Sequence, residues 1–152
     1  MKRWGGPLVG VARRRVLTSS VRPEGDKGRE ALAMGKEFLH SDQLTAAIRE
    51  FKRAQLCFDE SDPNEAISKA DSLMELGEAL ILNSDRKMLA SGVYQKRYAF
   101  AADTYRQSMD SFVKALSLYP VEEPFSVKRA LCWQKAGSCR VSPSSSSWLT
   151  RR

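Results

Sequence analysis

Ala31-Leu32-Ala33-Met34-Gly35-Lys36-Glu37-Phe38, followed by Ala47-Ile48-Arg49-Glu50-Phe51-Lys52-Arg53-Ala54, is the stretch whose reading decides the fold. Small and large residues keep a fixed spacing in it: Ala31-x2-Met34-Gly35-x2-Phe38, then Ala47-x3-Phe51-x2-Ala54. Recurrence at three and four residues places each set on one face of a helix. Gly35 and Ala47 are small where two antiparallel helices must approach closely, while Met34, Phe38 and Phe51 fill the space on either side. Such a two-helix unit cannot bury its apolar face alone, so the spacing predicts further units stacked against it.

Outward from this stretch the chain reads helical from Asp26 to about Arg140, with no sustained alternation of the strand kind. The first helix is expected over Asp26 to His40, with Glu24 or Asp26 favourable at its amino end. Ser41-Asp42 reads as a short connection and an N-cap for the second helix, Gln43 to Phe58. That helix is expected to bury Leu44, Ala47, Ile48, Phe51, Ala54 and either Leu56 or Phe58. Asp62-Pro63-Asn64-Glu65 is a start signal, with an N-cap acid, Pro at the first helical position and Glu three residues after the cap.

Leu73-x2-Leu76-Gly77-x2-Leu80 repeats the first half of the opening pattern, and Ser108-x3-Phe112-x2-Ala115 repeats the second. Gly77 and Ser108 lie 31 residues apart, however, against 12 for Gly35 and Ala47. Either both helices of this hairpin are about 2–3 turns longer, or a loop holds Asn83 to Lys96. The stripe Tyr98, Ala101, Tyr105, Met109, Phe112, Leu116 and Tyr119, continued backwards by Val93 and Leu89, favours elongation with a bend near Ser91-Gly92. Tyr119-Pro120 ends that helix and Pro124 is expected to open the next. There Trp133-x2-Ala136-Gly137 gives the first half of the pattern a third time.

The recurring spacing resembles the tetratricopeptide (TPR) repeat, W-x2-L-G-x2-Y followed by A-x3-F. The resemblance covers residues 26–140, with one complete unit, one stretched unit and half of a third. It implies an all-α fold, a short right-handed stack of antiparallel helical hairpins with about five helices. In that family the first helix of each hairpin lines a concave groove that binds a peptide or a partner helix. Carried over, the groove is lined by Arg29, Leu32, Lys36 and Leu39 or His40 from the first helix. Asp71, Met74, Glu78 and Ile81 face it from the third. The subfamily that grips the carboxy-terminal carboxylate of heat-shock chaperones uses Lys and Asn at these sites. This chain has Leu32, Lys36 and Glu75 there, so that specificity does not carry over. The alternative for most of these groove residues is a solvated face.

Charge sorts the chain into three segments. Its 152 residues carry a net charge of +7, but residues 1–22 contribute +6 and residues 141–152 contribute +2. Residues 23–140 sum to −1, so the helical part is near neutral and does not read as a nucleic-acid-binding face. Residues 1–25 read as a basic disordered tail or a targeting segment; the first 22 are Arg-rich and acid-free, as in a mitochondrial or plastid transit peptide. An arm for nucleic acid or anionic lipid is a further reading of the same composition. Without a transit role the location is expected to be cytoplasmic. Residues 141–152, with Ser142-Pro143-Ser144-Ser145-Ser146-Ser147, read as a disordered Ser-rich tail.

No apolar run approaches the roughly 20 residues needed to span a bilayer, so the chain is expected to be soluble. Cys57, Cys132 and Cys139 are read as free, packed thiols, and with His40 as the sole imidazole and no C-x2-C pair no metal site is expected. The sequence holds no G-x-S-x-G, no Gly-rich phosphate loop and no H-E-x-x-H. The expectation is a non-enzymatic adaptor or scaffold without a cofactor, binding a protein or peptide partner. Two alternatives are an organelle-imported assembly subunit of a larger complex and a helical-repeat RNA-associated protein using its basic tails.

Overall fold

The computed structural model describes residues 22–89 and 94–140, with side chains at 22–89 and 100–139. These residues form five α-helices and no strand: α1 (Pro23–His40), α2 (Leu44–Cys57), α3 (Pro63–Leu89), α4 (Tyr94–Leu118) and α5 (Ser126–Arg140). No helix among the described residues is long and apolar enough to cross a membrane. The tail readings at residues 1–21 and 141–152, and the bend at Ser91-Gly92, lie outside the described residues.

Helix boundaries differ from the expectations where side chains found other partners. α1 begins at Pro23, a turn's worth of residues before Asp26, because Pro at the first position needs no N–H partner and Glu24 and Asp26 then complement the dipole. Arg22, counted with the tail by its charge, belongs to the fold: it donates to Asp59 at 2.7 Å. Asp42 does not cap α2. Its φ is 65°, its carboxylate binds Arg86 of α3, and Gln43 takes the cap position without a side-chain bond. At α3 the cap works as expected, Asp62 accepting from the Asn64 N–H at 2.8 Å. Glu65 instead leaves the helix end and accepts from the Asp59 N–H at 2.8 Å. α5 starts at Ser126, after Pro124 rather than on it.

The surplus between Gly77 and Ser108 is taken up by elongation. α3 and α4 have 27 and 25 residues, against 18 and 14 for α1 and α2. Consecutive helices pack side by side, and α1 also touches α3. Contacts give the directions. Gly28 meets Phe58 and Gly35 meets Phe51, so α1 and α2 are antiparallel. Asp71 meets Tyr119, Gly77 meets Phe112 and Asp85 meets Tyr105, so α3 and α4 are antiparallel too. Lys36 to Glu75 ties α1 to α3, and Asp71 to Lys128 and Glu78 to Lys135 tie α3 to α5. Gly25 meets Glu65 as well, so the ties of both pairs rise together in number, and α1, α3 and α5 run parallel along one side.

The two hairpins share a core geometry. A Cβ built on Gly35 would lie 2.5 Å from the Phe51 ring, and one built on Gly77 would lie 2.6 Å from the Phe112 ring. Both rings are fully buried, so each glycine lets its helix settle on an aromatic face that a methyl would lift away. Ser108 stands where the first hairpin has Ala47, and its hydroxyl donates to the Gly77 carbonyl at 2.8 Å. Of the alternatives at the end of α2, Phe58 is buried and Leu56 is exposed. Leu89 is exposed as well and does not extend the buried stripe of α4.

Candidate protein-interaction face

The expected groove residues fall into three groups. Leu32 and Leu39 are half-buried against the cluster of Ala47, Phe51, Leu76, Ala79 and Leu80. Ile81 and Met74 pack on Phe112, Ala136 and Cys139, so both apolar groove residues of α3 lean towards α5. Arg29 is exposed and pairs with Asp26 one turn back at 3.0 Å. His40 is exposed in the last turn of α1.

The remaining charges bind one another. Lys36 lies 3.7 Å from Glu75, which reaches back from α3 to α1. Asp71 accepts from the Tyr119 hydroxyl at 2.5 Å and from Lys128 Nζ at 2.7 Å. Glu78 pairs with Lys135. Cations on α1 and α5 thus flank a line of acids on α3, and each acid is answered within the chain. The pairs are partly exposed, so each is worth at most about 1 kcal/mol; they fix helix spacing more than they stabilise it.

Burial between α3, α4 and α5 shifts the groups beneath this line. The Tyr119 hydroxyl is held far above the ordinary phenol range by burial, reinforced by its bond to Asp71. Burial pushes the Cys132 thiol up to about 11, and its Sγ lies 3.1 Å from Met74 Sδ. At neutral pH that thiol stays protonated and behaves as a small apolar group, not a nucleophile. Among the described residues no three His, Cys, Asp or Glu side chains gather to hold a metal ion. A hollow of about 640 Å³ lies between the start of α3 and the end of α4, lined by Pro63, Val113, Leu116, Val121 and Arg129. Its guanidinium is already committed, donating at 2.8 Å to the carbonyls of Leu116 and Tyr119.

Sequence reading missed Leu82, Leu131, Lys128 and Lys135. Asp71, Glu75, Glu78 and Leu82 recur every three or four residues and form one stripe of α3; Lys128, Leu131 and Lys135 do the same on α5. Leu82 and Leu131 are 49 % and 39 % exposed, large apolar side chains beside the ion pairs. The recurrence was visible in the sequence, but which stripe faces outward depends on contacts between helices far apart in the chain. Compared with models of protein families, with curated proteins and with solved structures, the chain matches none.

Proposed function

We propose that the chain is a non-enzymatic protein-interaction adaptor, a short right-handed TPR-like stack of helical hairpins that binds a peptide or partner helix along α1, α3 and α5. The observation that carries this reading is the parallel row of those three helices, tied by Lys36–Glu75, Asp71–Lys128 and Glu78–Lys135. Such a row offers a ligand a polar strip of both signs with Leu82 and Leu131 beside it. Exposed charges contribute little to affinity because a ligand must compete with pairs already made; the apolar side chains dominate and the charges set orientation.

Peptides selected from a random library on the full chain test the proposal. Binders should carry a short apolar strip, and the double variant Leu82→Lys/Leu131→Lys should weaken them while leaving the melting temperature unchanged, since both side chains are solvent-exposed. Selected peptides that bind the double variant as well as the parent would place the site elsewhere and sink the reading.

A further inference from the structure

We propose that the outer face of α5, built on Ala130, Trp133 and Gly137, docks an amphipathic helix of a partner protein that carries a small-x3-Phe-x2-Ala pattern, completing a third hairpin in trans. The inference concerns a face other than the row of α1, α3 and α5 and stands without the function proposed above.

The internal geometry supplies the argument. Lys36 pairs with Glu75 and Glu78 pairs with Lys135, so Glu78 holds in α3 the place of Lys36 in α1, and Lys135 holds in α5 the place of Glu75 in α3. The same register aligns Gly35, Gly77 and Gly137. It aligns Ala31, Leu73 and Trp133, and it aligns Gly28, Ala70 and Ala130. In α1 and α3 all of these are buried against the next helix. In α5 all are exposed: Trp133 by 62 %, against 1 % for Ala31 and 3 % for Leu73. A Cβ on Gly137 would meet nothing within 4 Å. α5 is seated on its other side, where Cys132, Ala136 and Cys139 are buried in the places of Ser72, Leu76 and Ala79.

The unpaired face of α1 at the opposite end is built differently. The places of Cys132, Ala136 and Cys139 are taken there by Glu30, Met34 and Glu37, both acids exposed. That is the polar surface a terminal helix needs in water. α5, the last of the described helices, turns outward an indole, an alanine and a glycine.

The two filled hairpins define what fits. Gly35 receives Phe51 from Ala47-x3-Phe51-x2-Ala54, and Gly77 receives Phe112 from Ser108-x3-Phe112-x2-Ala115. The same pattern selects the source. In a second copy both segments of this kind are closed inside their own hairpins, with Phe51 and Phe112 fully buried, and α5 itself holds no Phe. Residues 141–152 hold Pro143 and no Phe. A helix of a partner protein that carries the pattern meets the requirement.

The test uses the full chain with Trp4→Phe and Trp148→Phe, leaving Trp133 as the reporter. The probe is a synthetic peptide of about 20 residues with Ala-x3-Phe-x2-Ala at its centre and equal numbers of Glu and Lys on its polar face. The expected result is a saturable blue shift of Trp133 emission. Gly137→Leu should weaken binding about tenfold or more without lowering the melting temperature, because the leucine has open space until a helix docks. Leu82→Lys/Leu131→Lys should leave this binding intact, so failure here and failure of the proposed function are separable. Equal binding by the probe with its Phe replaced by Ala, or by the Gly137→Leu chain, would overturn the proposal. So would dimerisation of the chain alone that Gly137→Leu abolishes, or probe binding that appears only after residues 141–152 are deleted.

Discussion

One substitution made at three places should change stability with opposite signs. Gly35, Gly77 and Gly137 occupy matching positions in α1, α3 and α5, and each sits in a helix interior. Replacing any of them by Ala removes backbone freedom from the unfolded chain and gains about 1 kcal/mol of helix propensity. At Gly35 and Gly77 the new methyl would lie 2.5 and 2.6 Å from the rings of Phe51 and Phe112. Those rings are fully enclosed, so the helices must separate. Overpacking of this kind costs about 1–3 kcal/mol. The net effect at each is a loss of up to about 2 kcal/mol, a fall in melting temperature of up to about 8 °C for a domain of this size. At Gly137 nothing lies within 4 Å, so the propensity gain stands alone and melting should rise by about 4 °C. Thermal melts followed by circular dichroism at 222 nm decide it. Gly35→Ala and Gly77→Ala proteins that melt at or above the parent would refute the close approach. A Gly137→Ala protein that melts lower would show that the outer face of α5 is covered.

Two further outcomes follow from groups described above. Glu65→Ala should cost about 1–3 kcal/mol in urea unfolding, because the Asp59 N–H loses its acceptor, whereas Glu65→Gln keeps an acceptor and should cost less; equal losses would refute that role. Stability should also fall on the alkaline side: burial raises Cys132 from 9.0 to about 11 and Tyr105 from 10.0 to about 12, so the folded chain holds protons that the unfolded chain releases. The stabilisation is full below about pH 9 and is lost as pH rises through about 11 and 12; an unchanged urea midpoint between about pH 8 and pH 11 would contradict it, and Cys132→Ala should delay the onset.

The helices and the inner contacts of both hairpins were legible because they rest on local spacing. A glycine three or four residues from large apolar neighbours marks a close approach wherever it stands in the chain, and Gly35 and Gly77 obey it. The same signal at Gly137 was legible but unfilled, since spacing describes a surface and not what lies on it. Polar partners were the least readable. Glu65 has the spacing of a capping residue but bonds the Asp59 N–H, and Asp42 bonds Arg86 across 44 residues. The charges of the candidate face show the same limit: the sequence presents Lys36, Asp71 and Glu78 without partners, and the fold pairs them with Glu75, Lys128 and Lys135. A carboxylate takes whichever cation or N–H the fold brings near, and the sequence does not record that distance.

α3 touches every other helix: α1, α2 and α4 by packing, and α5 through Asp71, Met74 and Glu78. Among the described residues the other helices border fewer neighbours, and α5 is held by α4 and α3. Opening α5 therefore leaves the contacts among the other four helices in place, whereas opening α3 breaks contacts with every one of them. Amide hydrogens should report that asymmetry as a gradient, exchanging first in α5 through excursions that leave Phe51 enclosed. The amides around Leu76 and Gly77 exchange last, when the whole chain unfolds. The longest helix is in this sense the clock of the molecule: the ends can breathe on their own schedule, and the middle opens only once.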